Sequence, residues 1–142
     1  MSTNGALLLT EVRAAAAAAL APGPGDELVV LPDMVDSLEP PALLLEWNDP
    51  WLSVRSVGRD TIGGSQLWEA LLNVLCIAGR LEPGPGIITL EQLLTYTIER
   101  LAGDAHPWPL SASQAPRGFR FGDIWMLGAR LSFRVPVQLG GA

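Results

Sequence analysis

At 142 residues, with 49% apolar and 17% charged side chains, the chain has the size of one domain and can bury roughly two thirds of its unfolded surface. That balance excludes intrinsic disorder, and the frequent Pro and Gly exclude a long coiled coil. A formal net charge of -6 opposes general binding to phosphate backbones, and a single cysteine, Cys76, excludes an internal disulfide or a cysteine metal cluster.

No stretch reaches the roughly 18 apolar residues of a membrane span, and no Lys or Arg precedes Arg13 to form the charged region of a secretory leader. A soluble protein of a reducing compartment is expected.

Residues 4–20 read as a helix, rich in Ala and Leu and stopped by Pro22-Gly23-Pro24-Gly25. Its apolar face holds Leu8, Val12, Ala15, Ala16 and Ala19, and the small side chains permit close packing. A short strand or extended segment at 28–31 precedes an acidic loop through Pro40 and Pro41. Residues 42–47 form an almost unbroken apolar run, as in a strand covered on both faces, ended by the turn residues Asn48-Asp49-Pro50. An extended arm then follows over 51–57, within a wider arm or loop at 48–66, and 59–65 is a polar loop with Gly63-Gly64.

Residues 67–78 are apolar at almost every position and fit either a buried helix or a long central strand. A helix is predicted from Thr89 to Gly103. Thr89 and Gln92 have capping-box spacing, and Leu90, Leu93, Leu94, Thr97, Ile98 and Leu101 share one face. Residues 103–118, with His106-Pro107-Trp108-Pro109 and Pro116, read as an extended loop. The last element alternates strictly, Trp125, Leu127, Ala129, Leu131, Phe133, Val135 and Val137 against Gly128, Arg130, Ser132, Arg134 and Gln138, which marks a long half-buried strand. The expected fold is a single α+β domain: an antiparallel or mixed sheet of about four strands with two helices packed on one face.

Charge is divided along the chain. Asp26, Glu27, Asp33, Asp36, Glu39, Glu46 and Asp49 form a stretch without a cation, whereas Arg117, Arg120, Arg130 and Arg134 face only Asp104 and Asp123 beyond Arg100. Either these are two solvated surfaces of opposite sign, or copies of the chain meet head to tail.

Little in the sequence supports catalysis. His106, the only histidine, has no recognisable partner set beyond Asp104. Cys76 lies in an apolar run, where it behaves as a small hydrophobe with a raised pKa. Residues 58–64 lack phosphate-loop spacing, Gly84-Pro85-Gly86 places a proline where a cradle needs an N–H, and Glu46 with Asp49 is a weak cation motif. Among the tryptophans, Trp47, Trp68 and Trp125 are expected in the core. Trp51 and Trp108, on arms or loops, fit local packing and an assembly interface equally well.

The run from Pro41 through Leu43-Leu44-Leu45-Glu46-Trp47 to Pro50-Trp51, the stretches Leu67-Trp68 and Leu75-Cys76-Ile77-Ala78-Gly79-Arg80, the turn at Leu81-Glu82-Pro83-Gly84, the helix opening Thr89-Leu90-Glu91-Gln92 and the closing strand resemble tail terminator proteins. These are virion proteins of long-tailed, siphovirus-type bacteriophages, especially those infecting actinobacteria, and the resemblance spans roughly residues 7–139 as a pattern of elements.

It implies a structural protein without catalytic residues or cofactors, forming a homo-hexameric ring on the finished tail tube. Its partners would be further copies of itself, the tail tube protein and a head-tail connector or stopper protein, with DNA only a passing cargo in the lumen; that the lumen is acidic is an expectation from the net charge of -6 alone. Assembly in the host cytoplasm, a place in the virion neck and a strand at 67–78 are implied too. Candidate interface residues are Trp51, Arg55, Arg59, Trp108, Arg130 and Arg134. The alternatives are another neck component, a connector or stopper, or a small-ligand-binding α+β domain using the loop around His106.

Overall fold

The computed structural model describes residues 7–23, 28–31, 35, 37–56, 67–81, 86–103 and 108–139, with the side chains of 54–56 and 67 excepted. The chain is an α+β unit around one mixed sheet. Its strands are β1 (Leu7–Leu8), β2 (Val29–Leu31), β3 (Ala42–Ser56), β4 (Leu67–Arg80), β5 (Leu110–Ser113), β6 (Arg117–Phe121) and β7 (Ile124–Gln138), and its helices are α1 (Val12–Leu20) and α2 (Ile87–Ala102). The sheet therefore has seven strands where about four were expected. Of the three long ones β7 was legible from its alternation and β3 in its first part; the extra ones are short edge pieces, β1 and β5 pairing with distant parts of β7 and β6 forming a hairpin with its start.

The three long strands form the antiparallel centre in the order β3, β4, β7. The apolar run at 67–78 is thus the central strand. Backbone pairing on both sides, from Leu67 to Arg80, removes the helical alternative. On the outer edge of β7, β6 covers Ile124–Gly128, β5 covers Leu131–Phe133 and β1 runs parallel to Val137–Gln138. On the other side β2 runs parallel to β3 over Ala42–Leu44 only.

Alternation sorts the side chains. Leu43 and Leu45 of β3, Ala70, Leu72, Val74, Cys76 and Ala78 of β4, and Ala129, Leu131, Phe133, Val135 and Val137 of β7 are buried in one cluster. The same cluster takes Val12, Ala16 and Leu20 of α1, and Leu90, Leu93 and Leu101 of α2. Intervening residues form a second cluster with Ala42, Leu44, Leu75, Ile77, Phe121 and Met126, against which Leu31, Val35, Leu38 and Phe119 pack. The helices are tied to each other by Tyr96, whose hydroxyl donates to the Leu20 carbonyl at 2.7 Å.

Several sequence expectations need correction. The first helix does not begin near residue 4: Leu7–Leu8 is extended and paired to β7, a 3₁₀ turn follows at Leu9–Glu11, and the α-helix starts at Val12. Helical propensity yields here to sheet pairing.

Asn48-Asp49-Pro50 is not a chain reversal. β3 continues through it as a bulge, advancing from Trp47 to Leu52 while β4 moves only from Leu72 to Ala70, and the Asp49–Pro50 peptide is cis. Asn48 turns its amide onto the Pro50 carbonyl, at 3.0 Å, and accepts from Asn73 at 3.1 Å, so turn chemistry serves the bulge instead.

α2 starts two residues before Thr89. Gly86, at φ 101°, swings the chain directly into the first turn, so the Thr89–Gln92 capping box is not used. The loop expected over 103–118 contains β5 and the start of β6. The polar loop at 59–65 and the outer arm at 57–66 lie outside the described residues.

Candidate assembly surface

The candidate interface residues do not form one patch. Trp51 is half-buried on β3, its ring 4.8 Å from that of Trp47 at an interplanar angle of 40°, and both pack on the rim of the main core. Trp108 is only 3% exposed and sits inside that core, its N–H donating to the Leu101 carbonyl at 2.9 Å; it is a packing residue and not a contact. Its place in the core depends on the strands and helices packed around it, which a Pro-rich sequence does not announce. The side chain of Arg55 and the whole of Arg59 lie outside the described residues, as does His106.

Arg130 is committed within the subunit. From β7 it crosses β4 diagonally, donating to Glu46 Oε1 at 2.6 Å and to Gln114 Oε1 at 3.0 Å, with its guanidinium 5.4 Å from the Phe119 ring centre. Ser132 and Asn73 extend this polar band, Ser132 donating to Asn73 Oδ1 at 2.5 Å and Asn73 to Asn48. Arg134, by contrast, is exposed on β7, and its N–H is held by the Pro109 carbonyl at 2.9 Å.

The tryptophans expected in the core are nearer the surface. Trp47 and Trp68 are half-buried, and Trp125 is 52% exposed. Trp125 follows the alternation of β7 but lies past its start of core packing, beyond the irregularity where Ile77 and Gly79 of β4 meet Gly128 and Leu127. There it faces Gly118 of β6 and Leu81: a Cβ on Gly118 would be 3.2 Å from Leu81 Cδ2 and 3.3 Å from Trp125 Cε3. Leu81 is itself exposed, and Arg120, which pairs with Trp125, is exposed on the same face, whereas the exposed Arg80 and Arg117 pair with Met126 and Gly128 and belong to the other face. This patch was missed because the β6–β7 hairpin was missed. Its signal was present in Gly122-Asp123 between Phe121 and Ile124, a two-residue turn with Gly122 at φ 61°.

Charge and topology coincide. Of the acidic stretch 26–49, Glu46 and Asp49 lie on β3 and Glu39 shortly precedes it, on the β2 side of the sheet; Asp26, Glu27, Asp33 and Asp36 lie outside the described residues. Arg117 and Arg120 lie on β6 at the opposite edge, with Arg130 and Arg134 on the adjoining β7. Glu39 and Asp49 are exposed at the acidic edge. Arg120 lies 3.5 Å from Asp123 with both side chains well exposed, a pair worth little in water and free to exchange partners.

Other features have less chemical character. Cys76 is fully buried, and burial pushes its thiol up to about 12, only partly offset by the contact with the Thr97 hydroxyl at 3.7 Å. A shallow, open groove on the outer side of α2 is lined by Ile88, Glu91, Gln92, Thr95, Tyr96 and Glu99. Among the described residues no three His, Cys, Asp or Glu side chains converge to hold a metal ion, and no helix is long and apolar enough to cross a membrane. Comparison of the chain with protein-family models and with curated proteins gives no match.

Proposed function

We propose that this chain is a structural, non-enzymatic subunit of the tail-terminator type. It assembles as a homo-hexameric ring on the end of a phage tail tube, halts tube growth and offers its free side to a head-tail connector. Two helices backing one face of the sheet leave the two sheet edges for neighbouring subunits.

The observation that carries this reading is the placement of charge on those edges. Exposed Glu39 and Asp49, before and on β3, and exposed Arg117, Arg120 and Arg134, on β6 and β7, lie toward opposite edges of one sheet. Such a subunit meets its own copies head to tail, and a heterologous contact that closes gives a ring. The two edges also differ in backbone terms. Three short strands occupy the outer edge of β7, whereas β2 covers only the first residues of β3.

The test is growth of tail tubes from purified tube protein with and without this chain. Addition of the chain is expected to stop elongation at substoichiometric ratios and to leave it bound at tube ends. Tubes that grow to the same length, with the chain binding a portal protein instead, would assign it to another part of the neck.

A further inference from the structure

We infer that the sheet face without helices carries an oxyanion site, built from Arg117, Arg130 and Gln114 and suited to a phosphate group. The site is independent of the ring reading above.

Strand register brings the components together. Arg117 pairs with Gly128 and Phe119 with Met126, so both side chains rise from the face on which Arg130 follows Gly128 along β7. That face holds the second apolar cluster, whereas both helices pack against the other. Gly128 leaves room there for an aromatic ring, since a Cβ on it would lie 3.1 Å from Phe119 Cδ2. The Arg117 guanidinium lies 4.7 Å from the centre of the Phe119 ring and the Arg130 guanidinium 5.4 Å. Two cations thus border one ring.

Their donors are only partly used. Arg130 gives Nε to Glu46 at 2.6 Å and Nη1 to Gln114 Oε1 at 3.0 Å, which fixes its plane and leaves Nη2 without a partner among the described residues. Gln114 accepts through its oxygen and so keeps its amide N–H groups for another acceptor. Its own backbone N–H donates to the Arg130 carbonyl at 2.9 Å, which holds it beside that side chain. Arg117 is exposed, and its contact among the described residues is the Phe119 ring, with no carboxylate. Arg80, paired with Met126, is exposed on the same face one row along.

The chemistry of the ligand follows from these donors. Glu46 is the one carboxylate held at the Arg117–Arg130 pair among the described residues, so a positive potential remains there although the whole chain is acidic. Three separate donor groups face it: the planar fork of Arg117, Nη2 of Arg130 and the Gln114 amide. A phosphate monoester or free phosphate offers an oxygen to each and carries up to two charges, whereas a carboxylate has two oxygens and one charge. Arg130 and Gln114 are ordered before the ligand arrives, which lowers the entropic cost of binding.

The experiment is titration of the nitrogen-15-labelled chain at constant ionic strength, read from backbone amide and arginine Nε–H resonances. The probes are inorganic phosphate, a nucleoside 5′-monophosphate and acetate. Saturable shifts at Arg117, Arg130 and Gln114 are expected with both phosphates, and weaker binding with acetate. Tighter binding of the monophosphate identifies an esterified ligand, and equal binding a free phosphate. Arg117→Gln is expected to weaken binding by about tenfold or more. Arg120→Gln removes the same charge from the same strand but on the opposite face, and should leave binding unchanged. Gln114→Glu still accepts from Arg130 but sets a carboxylate among the donors, and should abolish binding. All three positions are exposed, so the variants keep the fold. Absence of saturation with either phosphate, equal losses in Arg117→Gln and Arg120→Gln, or acetate bound as tightly as phosphate would overturn the site.

Discussion

Gly128 is the position where the fold permits least change. A Cβ added there would lie 2.6 Å from Ile77 Cδ1, 2.7 Å from the Cys76 carbonyl oxygen and 3.1 Å from Phe119 Cδ2. Ordinary carbon contacts fall at about 3.5–4.0 Å, so the methyl overlaps three neighbours at once. The Ile77 methyl can rotate away. The Cys76 carbonyl cannot, because it belongs to the central strand and sits where β4 and β7 shift register.

Replacing a strand glycine by alanine would on its own stabilise the chain by about 0.5–1 kcal/mol through backbone entropy. The overlap reverses that sign, and an overpacked core site costs about 1–3 kcal/mol, here at the upper end because backbone must move. Gly118→Ala is the matched control. Its Cβ would meet only Leu81 Cδ2 at 3.2 Å and Trp125 Cε3 at 3.3 Å, both on exposed side chains that can give way.

Urea unfolding followed by tryptophan fluorescence reads the difference. With a slope of about 1–3 kcal/mol per molar urea, Gly128→Ala is expected to lower the midpoint by about 1 M at unchanged slope, and Gly118→Ala by a small fraction of that. Equal midpoints for the two variants, or a stabilised Gly128→Ala, would refute the β4–β7–β6 packing from which the argument starts.

Further outcomes follow from individual contacts. The Glu46–Arg130 pair, with side chains 22% and 18% exposed, should show a coupling of about 1–2 kcal/mol in a double-mutant cycle of Glu46→Gln and Arg130→Met, between surface and buried values. Tyr96→Phe should cost about 1 kcal/mol in thermal unfolding, since it removes the bond to the last turn of α1. Cys76 should resist a thiol-reactive chromophore in the native state and react at once in denaturant. Its folded pKa is raised from 9.0 to about 12, so the unfolded thiol ionises first as pH climbs. The stability it contributes is whole below pH 9.0 and is lost on approach to 12, a slope that Cys76→Ala should remove.

The long elements were legible because they repeat a period. β7 and α2 announce themselves through alternation and through the 3, 4, 7 offsets, and Leu90, Leu93, Thr97 and Leu101 are buried as that face requires. The run 67–78 was undecidable from its own residues, since a segment buried on both sides has no polar face to give it a period. β1 and β5 depend on backbone pairing with distant parts of β7, which leaves no local pattern.

The candidate surface was harder still. Trp108 stands among prolines and looks external, yet its ring is buried; Trp125 alternates with the core and is exposed. In each case the side chain's environment is set by where a neighbouring element stops, and strand periodicity carries no such information. Charge division is read along the chain, and of its members the structure places Glu39, Asp49, Arg117, Arg120 and Arg134 at the surface while pairing Glu46 with Arg130.

The most direct test of the account is negative-stain imaging of the chain mixed with assembled tail tubes. The expected image is a six-fold ring seated on one end of each tube, seen end-on as six equal lobes. Bare tube ends, with the chain dispersed as monomers or bound along the tube walls, would contradict it.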